Sequence, residues 1–208
     1  MPRPTLLTIL LLAFSPSTLA FADPLPAIKP AKTIEGGPRV RPHDSRSAAI
    51  MLEGLRRSDT LRMLVERLEA HDVIVYIQMQ PGMERRLGGS LTWLAATDRF
   101  RYVRISLNPT LSGPAAIATL GHELQHALEV ADTPTIVDAQ SLGAYYRVHG
   151  ISVRVHGNGW DTLAAQNVGD EVRDEVAQSK KGHVVESLRD FDARDWHVVY
   201  RRAREEGR

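Results

Sequence analysis

The chain has 208 residues, enough for one domain with a substantial core and too few for two comfortable ones. Its 43% apolar and 25% charged residues exclude a wholly disordered or fibrous chain, and 26 basic against 25 acidic residues give no global field for nucleic acid. Cysteine is absent, which excludes disulfides, thiol catalysis, thiolate metal ligation and a lipid-anchored N-terminus, and leaves His, Asp and Glu for any metal site.

The N-terminus reads as a secretory signal over residues 1–22. Arg3 supplies a short positive start, "TLLTILLLAF" (5–14) an apolar run too short to span a bilayer, and Ala20-Phe21-Ala22 a small-x-small cleavage site. The mature chain is then expected to begin near Asp23, to act in a periplasm or outside the cell, and to keep no stable membrane anchor. Residues 23–44 carry Pro24, Pro26, Pro30, Pro38 and Pro42 with Gly36-Gly37, the composition of an extended arm.

The main domain is expected over residues 45–179. "SRSAAIMLEGLRRSDTLRMLVERLEAHD" has helical periodicity with a break and new cap at Ser58-Asp59, and its second half puts Leu61, Leu64, Val65 and Leu68 on one face. "VIVYIQMQ" (73–80) predicts a strand, and "SLTWLAA" and "FRYVRISL" predict a hairpin around Thr97-Asp98-Arg99. "SGPAAIATLGHELQHALEVAD" returns to a helical period, with Ser112 as cap and Pro114 in the tolerated first turn. A further helix should end at Gly150, "ISVRVHGNG" should connect, and "WDTLAAQNVGDEVRDEVAQ" should form another helix. Residues 180–208 are charged, with apolar spots, and read as a last helix or a tail. Helices, then a small antiparallel sheet, then helices make an α+β fold rather than a parallel α/β one.

Within the helix of residues 113–132 lies "GHELQHALEV", with His122, Glu123 and His126 in an H-E-x-x-H pattern. Residues four apart on an α-helix lie about 40° apart around the axis and about 6 Å apart along it, so both imidazoles can reach one ion. Glu123 is then placed to act as general base toward a water at that ion, the arrangement of a zinc hydrolase. Two histidines do not complete such a site. The metzincin extension would need glycine where Glu129 stands and a methionine turn downstream, but every methionine lies at or before Met83. The helix should therefore run through Glu129, which suits either support of a ligand histidine from behind or a plain surface ion pair.

The third ligand must come from further along. Asp138, Asp161, Asp170 and Glu171 are the acidic candidates. Asp138 could instead orient a histidine, and Asp170 and Glu171 sit in a charge-rich helical run that reads as a solvated face. Asp161 is favoured. It stands at the expected start of a helix after Gly157-Asn158-Gly159-Trp160, with Ala164 and Ala165 small enough for close approach, although an N-terminal cap is its competing role. Tyr145, Tyr146, His149 and His156 lie between motif and third ligand. Of these Tyr146 or His149 could donate to a developing oxyanion, or simply pack.

"RISLNP…GHELQHALEV…GWDTLAAQNVGDEV", over roughly residues 100–176, resembles a group of small exported bacterial zincins of uncharacterised function, gluzincin- or aspzincin-like rather than metzincin. The resemblance implies a zincin-like fold and zinc as cofactor, with the acidic third ligand mapping onto Asp161. This chain has Asp where that group usually has Glu, shorter by one methylene, so the helix must sit closer or the metal bind more weakly. In zincins an edge strand commonly lines the cleft, and "YVRISL" (102–107) is the candidate, with a plain core strand as the alternative. The expected function is a zinc metallopeptidase acting on peptide or protein substrates. A non-catalytic metal-binding or interaction module, or a metal-dependent amidase acting on cell wall, is the alternative.

Overall fold

The computed structural model describes residues 37–153 and 159–179. The expected signal, most of the expected arm, His156 and residues 180–208 lie outside the described residues. The elements run β1 (Val40–Pro42), α1 (Ser45–Arg57), α2 (Asp59–Glu69), β2 (Val73–Met79), β3 (Gly89–Ala96), β4 (Arg101–Leu107), α3 (Gly113–Asp132), α4 (Ala139–His149), β5 (Ile151–Val153), β6 (Gly159–Asp161) and α5 (Leu163–Gln178). Among the described residues, no helix is long and apolar enough to cross a membrane.

Local chemistry accounts for most helix ends. Asp44 caps α1 by accepting from Ser47 N at 2.8 Å, and its second oxygen accepts from Met79 N at 2.9 Å, so one carboxylate joins the helix start to the end of β2. Ser58 ends α1 and caps α2, accepting from Leu61 N, while its hydroxyl donates to Glu175 of α5. Thr60 donates to the same carboxylate at 2.9 Å, so the break at Ser58-Asp59 is also the joint where α2 meets α5. Asp138 and Ser141 form a capping box for α4, and Gly150 ends it. At α3, Ser112 makes no side-chain cap bond and Pro114 alone marks the start.

The main sheet has the order β1-β2-β4-β3 and is mixed, which corrects the expected antiparallel sheet. β1 and β4 both run parallel to β2, and only β3 and β4 are antiparallel, joined by the expected hairpin at Thr97–Phe100. The reason is connectivity. α1 and α2 form a crossover between β1 and β2, and residues 80–88 carry the chain to the far edge, so that β4 returns beside β2 in the same direction. Alternation within a strand does not encode its partner's direction. Within the expected extended arm, residues 40–42 form β1 and pair with Val75–Ile77. A second, two-stranded sheet pairs β5 with β6.

The core forms where Val40, Val75, Ile77, Val103, Ile105 and Leu107 of one sheet face meet Met51, Leu61, Leu64 and Leu68 of α1 and α2 and Ile117, Leu120, Leu124 and Leu128 of α3. Helix α3 packs against strands β2–β4, against α1 and α2, and against α5. It is consequently buried around much of its circumference, and so can hold polar side chains at fixed positions inside the molecule.

Candidate metal centre

His122 and His126 occupy successive turns of α3, with ring centroids 4.9 Å apart in an edge-to-face arrangement. Asp161 closes the group from β6. Its Oδ1 lies 3.2 Å from His122 Nε2 and 3.4 Å from His126 Nε2. One ligand atom from each of the three residues lies within 4.8 Å of the others, so the group could hold a metal ion. The donor set fits a borderline cation: two imidazole nitrogens and one carboxylate oxygen, with His122 and Glu123 open to a cleft of about 350 Å³.

Asp161 reaches the histidines differently from the expected helix start. It is the last residue of β6, and Thr162 is the N-cap of α5, accepting from Ala165 N at 3.1 Å. The expected competition between capping and ligation is thereby removed, since the two tasks fall to neighbouring residues. The approach of α5 to α3 depends on two glycines. A Cβ at Gly121 would fall 2.8 Å from Val172, and one at Gly169 would fall 3.2 Å from the His122 Cβ. Of the small residues expected to permit this approach, Ala165 is buried and Ala164 is exposed.

Behind His126 lies a buried polar cluster centred on Glu129. The carboxylate takes His126 Nδ1 at 2.9 Å and accepts from Thr162 Oγ1 at 2.6 Å and from Tyr146 OH at 3.3 Å. Glu129 is 8% exposed, so the ion pair it makes with His126 is not a surface one. A carboxylate on Nδ1 fixes a proton there and leaves Nε2, which faces Asp161, as the nitrogen that would bind an ion once its own proton is lost. Tyr146 is committed to this cluster, with its ring edge-on to His126 at 5.3 Å, and burial pushes its hydroxyl far above the usual phenol range.

Glu123 is 5% exposed, and its Oε1 would lie 2.8 Å from a Cβ at Gly89, the first residue of β3. Burial raises its pKa, against the pull of His126 and His122. For His126, burial works to lower the pKa, but hydrogen bonds to Asp161 and Glu129 and the field of Glu123 outweigh it and carry it to about 9. Asp161 shows the mirror image. Burial opposes its charge, and hydrogen bonds from His122, His126 and Gln166 hold it well below the usual carboxylate range. Without a metal, His126 is thus a cation held by carboxylates, the same electrostatics that would favour a divalent ion in its place.

The other expected residues fall elsewhere. Asp138 is an exposed cap of α4, and His149 is exposed and lies against Tyr145, ring centroids 4.5 Å apart. Glu171 is exposed on α5, and Asp170, at the cleft, pairs with Arg173. Strand β4, the expected cleft edge, is paired on both sides, so it is the core strand of the two alternatives. Among the described residues, the sheet's edge strands are β1 and β3. Thr162, Gln166 and the glycines 89, 121 and 169 were not singled out as site residues. Only Thr162 carried a local signal, as a cap before a helical run. No family profile, curated protein or solved structure matches this chain.

Proposed function

We propose that the chain is an exported zinc-dependent peptidase, with zinc held by His122, His126 and Asp161 and with Glu123 as general base. The reading is carried by one observation: three ligand atoms converge within 4.8 Å, with Glu123 on the same helix opening to the same cleft. Zinc, when bound, supplies Lewis acidity that polarises a carbonyl and makes a water acidic near neutral pH. Glu123 takes a proton from the attacking water and delivers it to the departing amine. Its burial suits this work, because a raised pKa brings proton capture and release closer to neutral pH. Glu129, with Thr162 and Tyr146, keeps His126 in one tautomer and orientation. Among the described residues, β3 has one unpaired edge and begins at Gly89 beside Glu123, so an extended peptide laid along it would bring its backbone toward the base.

The test is to produce residues 23–208, measure bound metal by elemental analysis, and compare wild type with Glu123→Gln on a mixed peptide library and on cell-wall fragments. Zinc near one per chain and cleavage lost in Glu123→Gln support the peptidase. Metal without Glu123-dependent turnover on either substrate leaves a metal-binding module, and cleavage of cell-wall fragments alone leaves the amidase.

A further inference from the structure

The two oxygens of Asp161 have different partners. Oδ1 faces both Nε2 atoms and also accepts from Thr162 N at 2.7 Å. Oδ2 accepts from Gln166 Nε2 at 2.9 Å. The main-chain donor at position 162 would be there whatever the side chain, so the amide of Gln166 is what distinguishes one oxygen from the other. Gln166 lies one turn beyond the cap Thr162, on the side of α5 that also presents Gly169 to His122. The cap bonds that fix the start of α5 therefore fix the Gln166 amide as well. Its side chain also lines the cleft together with His122 and Glu123.

We infer that Gln166 is a positioning residue that holds Asp161 as a one-oxygen ligand and so keeps a coordination position free on the cleft side. The inference rests on the metal-site reading above. A carboxylate can ligate through one oxygen or both, and a short aspartate on a strand end still rotates about its last bond. Donation from Gln166 engages Oδ2 and stops that rotation. With the donor gone, Asp161 is no longer held in one orientation, and Oδ2 is released to ligate beside Oδ1 and to take up the position a reacting group would need. Partners that orient a ligand typically change metal affinity by about 10–100-fold when removed.

The experiment uses the full chain loaded with Co²⁺, whose visible absorption is strong in four-coordinate sites and weakens as coordination number rises. Gln166→Met keeps length and helix preference but removes the donor. Gln166→Asn keeps the amide but falls one methylene short. Both variants are expected to keep the wild-type unfolding midpoint without metal, to bind Zn²⁺ and Co²⁺ about tenfold or more weakly, and to show a weaker Co²⁺ spectrum. Wild-type affinity and spectrum in Gln166→Met would overturn the inference. So would a fall in metal-free stability that accounts for the lost affinity, since that marks a packing role. If wild type itself takes up neither Zn²⁺ nor Co²⁺, the metal-site reading fails with it, an outcome the wild-type titration alone identifies.

Discussion

Three side chains at the centre are held by partners: His126 by Glu129, Glu129 by Thr162 and Tyr146, and Asp161 by Gln166. Asp161→Ala removes the one proposed ligand not on α3 and should lower zinc occupancy sharply in elemental analysis. Unchanged occupancy would mean that another acid completes the set. Glu129→Gln should weaken zinc binding by about tenfold or more, because the amide can present its N–H₂ to His126 and favour the wrong tautomer. The pH dependence follows from His126. Its pKa in the metal-free protein is raised to about 9, and ligation requires the neutral ring, so a proton competes with the metal at every pH below that value. Zinc affinity measured by competition titration should therefore rise with pH up to about 9, by up to about tenfold per unit for this one proton.

At the scale of elements, the site depends on how closely α5 lies against α3 and on how the end of α3 is tied down. Gly121→Ala places a methyl 2.8 Å from a branched Val172 side chain in the core. It should cost about 1–3 kcal/mol in denaturant unfolding and lower metal affinity at the same time, by pushing α5 outward. The far end of α3 is held by Arg101 of β4. Its buried guanidinium donates to the carbonyls of Val130, Ala131, Thr133 and Ile136 and to both oxygens of Asp72. The Arg101 hydrogen bonds hold the Asp72 carboxyl below its ordinary value of 3.8, despite some burial working the other way. A depressed acid contributes stability that is present above its unfolded value and is lost as pH falls through the folded one. Wild type should thus lose thermal stability below pH about 4 more steeply than Asp72→Asn, by a modest amount because Asp72 is about half exposed.

For the molecule as a whole, what was legible in the sequence was local. The pair of histidines, the glutamate beside them and the continuation of α3 through Glu129 follow from helical spacing within one segment, and the break at Ser58 follows from capping chemistry. The hairpin at Thr97 is of the same kind. The direction of β4 relative to β2 was not legible, because strand alternation reports burial and not the partner, and β1 was too short to show a period. Which of its two readings β4 takes, edge or core strand, was decided only by the strand order. Asp161 could be favoured from its neighbours, but its place at a strand end, with the cap one residue later, came only with the fold. The sequence by itself determined that two histidines and a glutamate share one helix as candidate ligands and candidate base, since periodicity acts over a few residues. Only the tertiary structure decided which acid meets them, that Glu129 stands buried behind His126, and that Gln166 holds Asp161. Those contacts join α3, α4, β6 and α5 through glycine-dependent packing that no local pattern records.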